Sequence, residues 1–336
     1  MRATRLYAVD DLRLVELPVP EPGPGELLVR IEAAGICGTD RHLTKGEFPC
    51  TPPVTLGHEF AGIVVGRGAG VDIAEGALVA CDPNDWCGTC DACLRGRVNL
   101  CARNVATGIH RDGGFAEFAV FPARKATMLP ADLDPMHGAF CEPLGCTLHG
   151  LDIGAPVAGE RVLVVGGGVI GLLALQLARL AGAETMLLTR SEAKRALARD
   201  LSASETASTP AETLRRWPGG ADLVLECAGV PETVAGAPAL ARTGGRVVVL
   251  GVLAKGATVP IEPFDLLFRE VQLRFAFINP FTQARAAALI ASGRVAVAPL
   301  ISRIIPLEAA AAVIAAPPAP GEVKVLVVPG KNRRVP

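Results

Sequence analysis

A glycine-rich turn between an apolar run and an amphipathic one restricts the fold of this chain most strongly. Residues 162–165 read Val-Leu-Val-Val, and residues 169–180 show helical periodicity. Between them Gly166, Gly168 and Gly171 follow the spacing Gly-x-Gly-x-x-Gly. The first glycine allows a tight turn, the second lets backbone approach a pyrophosphate, and the third allows close packing of helix on strand. The helix N-terminus then offers N–H donors to phosphate, so the segment predicts dinucleotide binding.

The segments around this turn predict an α/β fold with two domains. From residue 161 apolar strands alternate with helices of about ten residues, which is typical of a doubly wound parallel sheet. Residues 1–150 instead carry short β-prone runs separated by Gly and Pro, as in a compact β-barrel. The tail from about residue 280 ends in a strand-like run at 323–328. We therefore predict a dinucleotide-binding domain at 151–279 and a second domain formed by 1–150 and 280–336.

Charge and hydropathy exclude several classes of function for the 336 residues. Lys and Arg number 33 against 34 Asp and Glu, which gives a net charge of −1 and no electrostatic footprint for nucleic acid or an anionic membrane. No apolar run approaches the ~20 residues of a membrane-spanning helix. The N-terminal segment also lacks the apolar core of a signal peptide. We therefore expect a cytoplasmic protein that acts on a small molecule, with no nucleic-acid or membrane partner.

Four of the ten cysteines lie within fifteen residues, at Cys87, Cys90, Cys93 and Cys101. Four thiolates at such spacing can surround one tetrahedral Zn²⁺, and a site closed by four protein ligands is structural. A secreted disulfide scaffold would be shorter, with its cysteines spread more evenly. The spacing therefore predicts a structural zinc site.

A second set of metal-binding residue types is scattered along the chain. Cys37, His58, Glu59 and Glu142 offer one thiolate, one imidazole and carboxylates, the ligand types of a zinc site with an open position. Their spacing does not force these segments together. A buried structural role for His58 is therefore the simpler interpretation from the residues alone.

In these motifs and in their order the chain resembles the zinc-dependent medium-chain alcohol and polyol dehydrogenases, in particular the branch similar to sorbitol dehydrogenase. The shared segments are Gly-Ile-Cys-Gly-Thr-Asp at 35–40, Gly-His-Glu-Phe-Ala-Gly at 57–62, the four-cysteine lobe, Cys-Glu-Pro-Leu at 141–144 and the glycine turn. Gly62 and Gly68 also fit the zinc signature of the family. The resemblance implies a GroES-like β-barrel catalytic domain that carries two Zn²⁺, and a Rossmann dinucleotide-binding domain.

The same resemblance implies a catalytic zinc between the domains, near Cys37, His58, Glu59 and Glu142. Glu142 stands where typical alcohol dehydrogenases have a second cysteine. Whether Glu59 or Glu142 binds the metal directly or through water is left open.

The implied reaction begins with a substrate hydroxyl whose pKa is lowered by zinc. Thr39 accepts its proton and passes it through the cofactor ribose to His42, while hydride moves to the nicotinamide. For Thr39 and His42 the alternatives are a turn-capping hydroxyl and an exposed imidazole.

Arg190 bears on the choice of cofactor. NAD-dependent relatives carry an acidic residue at the end of the second strand of the sheet, and Arg190 occupies that place here. A guanidinium there can pair with a 2′-phosphate, which predicts NADP(H), with NAD(H) as the alternative. The alternative is an exposed arginine without function at the end of a strand. The predicted cofactor contacts are Gly166, Gly168, Val169, Ile170, Gly171, Thr189, Arg190, Ser191, Lys194, Arg195 and Leu250.

The substrate is predicted to be a secondary alcohol of polyol or sugar type. Residues 111–117, Arg-Asp-Gly-Gly-Phe-Ala-Glu, also suit a threonine-type dehydrogenase, and a cofactor sensor without turnover is an alternative of another class. Ile278 stands where sorbitol-type enzymes have a substrate-binding arginine, with Arg274 nearby and Asn279 as a candidate polar contact. The resemblance also implies a homo-oligomer, with a tetramer favoured over a dimer.

Overall fold

The computed structural model describes residues 1–330, in which eighteen strands and eleven helices are formed. The strands are β1 Arg2–Ala8, β2 Asp11–Glu16, β3 Glu26–Gly35, β4 Val54–Thr55, β5 Glu59–Arg67, β6 Leu78–Cys81, β7 Asn84–Asp85, β8 Val105–Ala106, β9 Phe118–Pro122, β10 Ala126–Met128, β11 Arg161–Val165, β12 Glu184–Leu188, β13 Glu205–Ala207, β14 Ala221–Glu226, β15 Ala241–Val249, β16 Gln272–Phe275, β17 Ile301–Pro306 and β18 Lys324–Val328. The helices are α1 Gly38–Thr44, α2 Asp91–Leu94, α3 Pro135–Gly138, α4 Cys141–Gly154, α5 Val169–Leu180, α6 Glu192–Asp200, α7 Pro210–Arg216, α8 Pro231–Leu240, α9 Pro263–Arg269, α10 Gln283–Ala291 and α11 Ala310–Ala315.

Six strands form a fully parallel sheet in the order β13-β12-β11-β14-β15-β16. In sequence order this is 3-2-1-4-5-6, the arrangement of dinucleotide-binding sheets. The middle residues of the central strands, 162–165 and 223–225, are apolar and buried because helices cover both faces of the sheet. The predicted doubly wound sheet is therefore confirmed.

Strand β15 is longer than its sequence pattern indicates. The mainly apolar run that indicates this strand covers 246–250, whereas pairing with β14 begins at Ala241 and includes an irregularity between Ala221 and Leu223. The first part of β15, Ala-Arg-Thr-Gly-Gly, contains polar residues and two glycines, so it lacks the apolar run by which strands are identified.

The other large sheet combines both ends of the chain. It has the order β10-β6-β5-β3-β18-β17, with β9 also paired to β3. The C-terminal strand β18 lies between β17 and β3, so the tail returns to the N-terminal part of the fold. This β-rich unit is the GroES-like barrel expected from the sequence.

Helix α4 joins the two sheets. Its apolar residues Leu144, Leu148 and Leu151 belong to the same buried cluster as Val162 of β11 and Leu173 of α5. The helix runs through residue 150, where we placed a domain boundary, and residues 331–336 of the predicted second domain lie outside the described residues. The proposed division into domains stays a prediction.

Across residues 1–330, the helices are too short or too polar to cross a membrane.

Candidate functional site

The four-cysteine lobe brings its sulfur atoms together around α2. The Sγ atoms of Cys87 and Cys101 lie 3.5 Å apart, those of Cys90 and Cys101 3.8 Å, and those of Cys87 and Cys93 4.0 Å. A tetrahedral Zn²⁺ with bonds of ~2.3 Å requires sulfur atoms about 3.8 Å apart. The lobe therefore has the donor set and spacing that a zinc ion needs.

Thiol acidity differs across this lobe. Hydrogen bonding from the backbone N–H of Thr89 is the largest influence on Cys87 and lowers its pKa to about 5. Burial, together with the neighbouring thiols, raises the pKa of Cys93 to about 12. Crowded thiols resist simultaneous ionisation, and a bound cation relieves that repulsion.

A second group consists of Cys37, His58 and Glu59, whose ligand atoms lie within 4.8 Å of one another. Cys37 is the N-cap of α1, directly after β3, and His58 and Glu59 stand where β5 begins. Since β3 and β5 are paired, with Gly35 opposite Glu59, the sheet itself brings these segments together. One thiol, one imidazole and one carboxylate fit a zinc site with an open position.

Asp40 orients the imidazole of His58, a contact that the sequence analysis did not identify. Asp40 Oδ1 lies 3.4 Å from His58 Nδ1, and Asp40 Oδ2 accepts a hydrogen bond from the Cys37 N–H at 2.8 Å. Burial opposes protonation of His58, yet the Asp40 carboxylate and the Cys37 thiol raise its pKa well above the usual value. The contact with Nδ1 leaves Nε2 as the nitrogen for a metal.

Lys324 is the second residue that sequence reasoning missed. Its Nζ lies 2.5 Å from Glu59 Oε2 and donates to the Ile36 carbonyl at 3.0 Å. The lysine side chain is 2% exposed and that of Glu59 is 1% exposed. Burial opposes the charge of Lys324, but Glu59 and Cys37 raise its pKa. Glu59 is thus an ion-paired carboxylate, which weakens it as a direct metal ligand.

Glu142 is buried in the first turn of α4, beside this group rather than within it. The Cys146 thiol, one turn further along the helix, donates to Glu142 Oε1 at 3.2 Å. Burial raises the pKa of Glu142 to about 7, and the nearby charge of Glu59 acts in the same direction, whereas His58 acts against it. Because burial makes the charged form of Glu142 unfavourable, a cation bound beside it would stabilise the carboxylate.

Thr39 and His42 lie three residues apart on α1 and therefore on one face of that helix. The Cys37 thiol donates to Thr39 Oγ1 at 3.6 Å, so the hydroxyl stands at the metal-ligand group. His42 is half-buried, and its Nδ1 lies 2.6 Å from Glu47 Oε2. Both side chains are half-buried, and the proton relay between them stays a prediction.

The glycine turn has the geometry that dinucleotide binding needs. Gly166 has a φ of 105°, which favours glycine, and a Cβ at Gly171 would overlap the Gly166 carbonyl oxygen. At Gly168, the N-cap of α5, a Cβ would meet no atom within 4 Å. The open space lies where a pyrophosphate would approach the N–H groups of Val169 and Ile170. The turn therefore fits the expected cofactor.

The predicted 2′-phosphate contacts lie at the end of β12 and the start of α6. Arg190 is exposed and makes no hydrogen bond or ion pair within the described chain, whereas Arg195 pairs with Glu192 at 2.6 Å and donates to the Thr189 carbonyl at 2.5 Å. Ser191 caps α6 through the Lys194 N–H. Arg190 therefore carries a positive charge without a partner among the described residues, whereas Arg195 is ion-paired. Leu250 follows β15 at the same edge of the sheet.

Asn279, which the sequence offered as a candidate contact to the substrate, has a structural role instead. Asn279 is buried, and its amide bonds to Asp82, Asn84 and Gln283, so it does not face a substrate as we expected.

The segment 111–117 is also committed to the fold. Asp112 pairs with Arg5 and Glu117 with Arg2, both on β1. These charges hold the N-terminal strand and carry no information about a threonine substrate.

Two family models match the chain. The alcohol dehydrogenase GroES-like domain matches residues 23–131, and the zinc-binding dehydrogenase model matches residues 169–292.

The proteins to which this chain is similar include dehydrogenases that are named for different substrates. L-threonine 3-dehydrogenase of Bacillus velezensis is 33% identical over 88% of this chain and 89% of its own length. D-arabinitol dehydrogenase 1 of Uromyces fabae is 31% identical over 89% of this chain and 88% of its own length. A zinc-binding dehydrogenase of Sinorhizobium meliloti 1021, crystallised with NADP, is 54% identical over 98% of this chain and 99% of its own, with a TM-score of 0.95.

Proposed function

Because the chain belongs to the zinc-dependent medium-chain alcohol and polyol dehydrogenase family, we propose that it oxidises a secondary alcohol of polyol or sugar type with NADP⁺. The observation that carries the proposal is that Cys37, buried His58 and buried Glu59 come together with Thr39 beside them. A protein that only senses a cofactor has no need of a proton-accepting hydroxyl at such a group.

Two zinc ions per chain belong to this proposal. Cys87, Cys90, Cys93 and Cys101 hold the structural ion, and Cys37 and His58 hold the second one together with Glu142. We assign the third ligand to Glu142 because Lys324 already neutralises Glu59. When bound, the second zinc acts as a Lewis acid that makes a substrate hydroxyl more acidic.

The residues around the metal ligands position the reacting groups. Thr39 accepts the hydroxyl proton, and His42 releases it near the surface with Glu47 beside its ring. Asp40 fixes the orientation of His58. Burial of the site excludes water and strengthens each of these electrostatic contacts.

NADP(H) is the cofactor that we propose, with NAD(H) as the alternative. The unpaired guanidinium of Arg190 supports this choice, and Lys194 adds positive charge one turn into α6. The NADP found with the protein of Sinorhizobium meliloti supports it as well. A charged hydrogen bond of about 1.5–3 kcal/mol favours NADP(H) by on the order of 10- to 100-fold.

A homo-oligomer also belongs to the proposal, and a tetramer is preferred on the basis of family resemblance. Its support is the exposed apolar surface on α9, where Phe264, Leu267 and Phe268 are 67%, 72% and 70% exposed. Strand β16 is the adjacent sheet edge and exposes Phe275. A second copy would cover both features.

A substrate panel tests the proposed reaction. Zinc-loaded protein is mixed with NADP⁺ or NAD⁺ and with polyols, sugars, L-threonine or ethanol, and the absorbance of the reduced nicotinamide is followed. We expect polyols or sugars with adjacent hydroxyls to exceed both L-threonine and ethanol. A higher rate with L-threonine would establish the alternative substrate, and cofactor binding without turnover would establish a sensor.

The variant Arg190→Asp tests the cofactor, with Arg179→Asp at the far end of α5 as a control of equal charge change. We expect only the first to shift kcat/KM towards NAD(H). Equal values with both cofactors in the unchanged protein would refute the NADP(H) preference.

Thr39→Ala tests the proton relay, and we expect kcat to fall by on the order of 10²-fold. Thr39→Ser retains a hydroxyl and should retain most of the rate. An unchanged kcat in Thr39→Ala would remove this residue from the reaction.

A further inference from the structure

The segment that follows β16 contains two residues in the left-handed region of backbone conformation. Ile278 has a φ of 49° and Phe281 a φ of 56°. This conformation is unfavourable for a β-branched residue such as isoleucine, and such residues keep it only when the surrounding structure imposes it. Contacts outside the segment must therefore hold it in place.

Asn279, which lies between these two residues, provides the main contacts. Its side-chain N–H group donates to Asp82 Oδ1 and to Gln283 Oε1, both at 3.2 Å. Its oxygen accepts a hydrogen bond from Asn84 Nδ2 at 2.7 Å. Asn279 is 2% exposed, so the amide is fully enclosed and fully bonded.

The partners of Asn279 are themselves held rigidly. Lys125 Nζ donates to Asp82 Oδ2 at 2.6 Å and also lies 3.3 Å from the centre of the Trp86 ring. Asn84 accepts a hydrogen bond from Asn104 at 3.2 Å. Asp82, Asn84 and Trp86 immediately precede the first cysteine of the lobe, so the lobe and the amide network form one unit.

Asn99 in the four-cysteine lobe and Trp86 directly before it contact the two ends of the segment 277–281. Asn99, between the third and fourth cysteines, donates to the Phe277 carbonyl at 3.3 Å. Trp86 packs edge-on against Phe281, with ring centres 5.3 Å apart. The segment is therefore fixed at 277, 279 and 281 by residues of the β-rich unit.

The location of the segment connects it to the cofactor. It begins at the carboxyl end of β16, where the Ala276 N–H donates to the Val249 carbonyl at 3.0 Å, beside Leu250. In sheets of this type the ligand lies outside the carboxyl ends of the strands. The backbone from 276 to 278 thus borders the proposed cofactor crevice.

We propose that Asn279 is a positioning residue for the cofactor, which holds Ile278 in its left-handed conformation before the cofactor arrives. The inference rests on the proposed function. Without the Asn279 amide, Ile278 relaxes towards an extended conformation, and cofactor binding has to restore the strained one. A segment that already has its bound conformation binds the cofactor with higher affinity, because binding does not have to impose that conformation.

Direct binding of NADPH, followed by its fluorescence, tests the inference. We expect Asn279→Ala to bind NADPH about tenfold more weakly than the unchanged protein, a factor that corresponds to the strain of one such residue. If this variant does not fold, Asn84→Ala removes a single hydrogen bond to Asn279 and should weaken binding in the same direction.

Gln176→Ala is the matched control, because Gln176 is also a buried amide and bonds to the backbone of Leu172 and Ala296. It should reduce stability in denaturant to a similar extent and leave the Kd for NADPH unchanged. A merely structural role of Asn279 predicts the same behaviour for both variants.

Ile278→Gly supplies the second test, since glycine adopts a positive φ without a steric penalty. Combined with Asn279→Ala, it should recover part of the lost affinity. An unchanged Kd for NADPH in Asn279→Ala, or no recovery of affinity in the double variant, would overturn the inference. The proposed function would still stand in either case if the unchanged protein binds NADPH. If the unchanged protein bound neither NADPH nor NADH, the proposed function would fail and the inference with it.

Discussion

The two candidate metal sites are built in opposite ways. The lobe takes four thiols from fifteen consecutive residues around the short helix α2, and only Cys101 among them is buried. The second site draws on the ends of β3 and β5, the start of α4 and the C-terminal strand β18. It combines the half-buried thiol of Cys37 with a buried imidazole, buried carboxylates and a buried lysine. A locally built site holds a metal to stabilise the chain, whereas a site built across the fold can leave one position for a substrate.

Removal of a lobe ligand should have the largest effect on stability. Cys90→Ser takes away one of four thiolates that hold the proposed ion, and we expect the free energy of unfolding to fall by about 5 kcal/mol or more. Denaturation in urea measures this change. Cys50→Ser, at a half-buried cysteine outside both groups, is the control and should change little. Equal stability of the Cys90 variant and its control would contradict a structural metal in the lobe.

Cys37→Ala should produce the opposite result. We expect kcat/KM to fall by on the order of 10³-fold, because the second metal loses its thiolate, while the unfolding midpoint stays close to that of the original protein. Activity and urea denaturation of the same preparation separate the two effects. A Cys37 variant that retained turnover would place the reaction elsewhere.

Lys324→Met tests whether the second site also contributes to stability. Its ion pair with Glu59 is almost completely buried, so removal of the cation leaves an unpaired carboxylate in the interior. We expect a loss of about 3 kcal/mol in the free energy of unfolding at neutral pH. Lys324→Arg keeps the charge and should lose less. If the methionine variant were as stable as the original, the pair would have no net stabilising role.

Acidification should remove the proposed zinc from the second site while the lobe keeps its own. Glu142 binds a metal as the carboxylate, and its pKa of about 7 means that protons compete below neutrality, with affinity falling about tenfold per pH unit. Protons also compete at Cys93 of the lobe, whose pKa is about 12. The lobe nevertheless closes four thiols around its ion, including Cys87 with a pKa of about 5, so we expect it to retain the ion over the same range. Dialysis against a weak chelator from pH 8 to pH 6 should therefore lower zinc from two ions per chain to one.

Glu142→Gln is the control for that titration, because an amide cannot take up the proton. Metal analysis of this variant should show weaker binding at the second site at every pH. The dependence on pH should be shallower but not absent, because the proton of His58 still competes with the metal. Loss of zinc from the lobe before the second site would reverse the expected order and contradict the assignment of Glu142.

The features of the molecule that depend on local contacts could be predicted from its sequence. The lobe and the glycine turn depend on contacts over a few residues, so spacing alone indicates both. The parallel sheet follows from alternating apolar strands and helices, and the predicted doubly wound sheet was confirmed. Family resemblance was needed to bring Cys37, His58 and Glu142 into one site.

Long-range partners could not be predicted from local patterns. Lys324 lies 265 residues from Glu59 in the chain, and within its own strand it appears as one charged residue beside an apolar run. Asn279 appears as a polar residue before a proline, and its burial depends on Asp82 and Asn84, almost 200 positions earlier. Asp40 is the exception, because its place three residues after Cys37 is typical of a capping box at a helix start.

The position of β18 between β3 and β17 has a consequence for the order in which the protein is made. Ribosomes add about 5–20 residues per second, so the lobe is complete at Cys101 long before Lys324 emerges. During that interval Glu59 is a carboxylate without its lysine, and the sheet around it lacks the strand that lies between β3 and β17. A nascent chain can therefore fill the proposed site in the lobe while the rest is still being made, whereas the second site takes its final form only after Lys324 has been added.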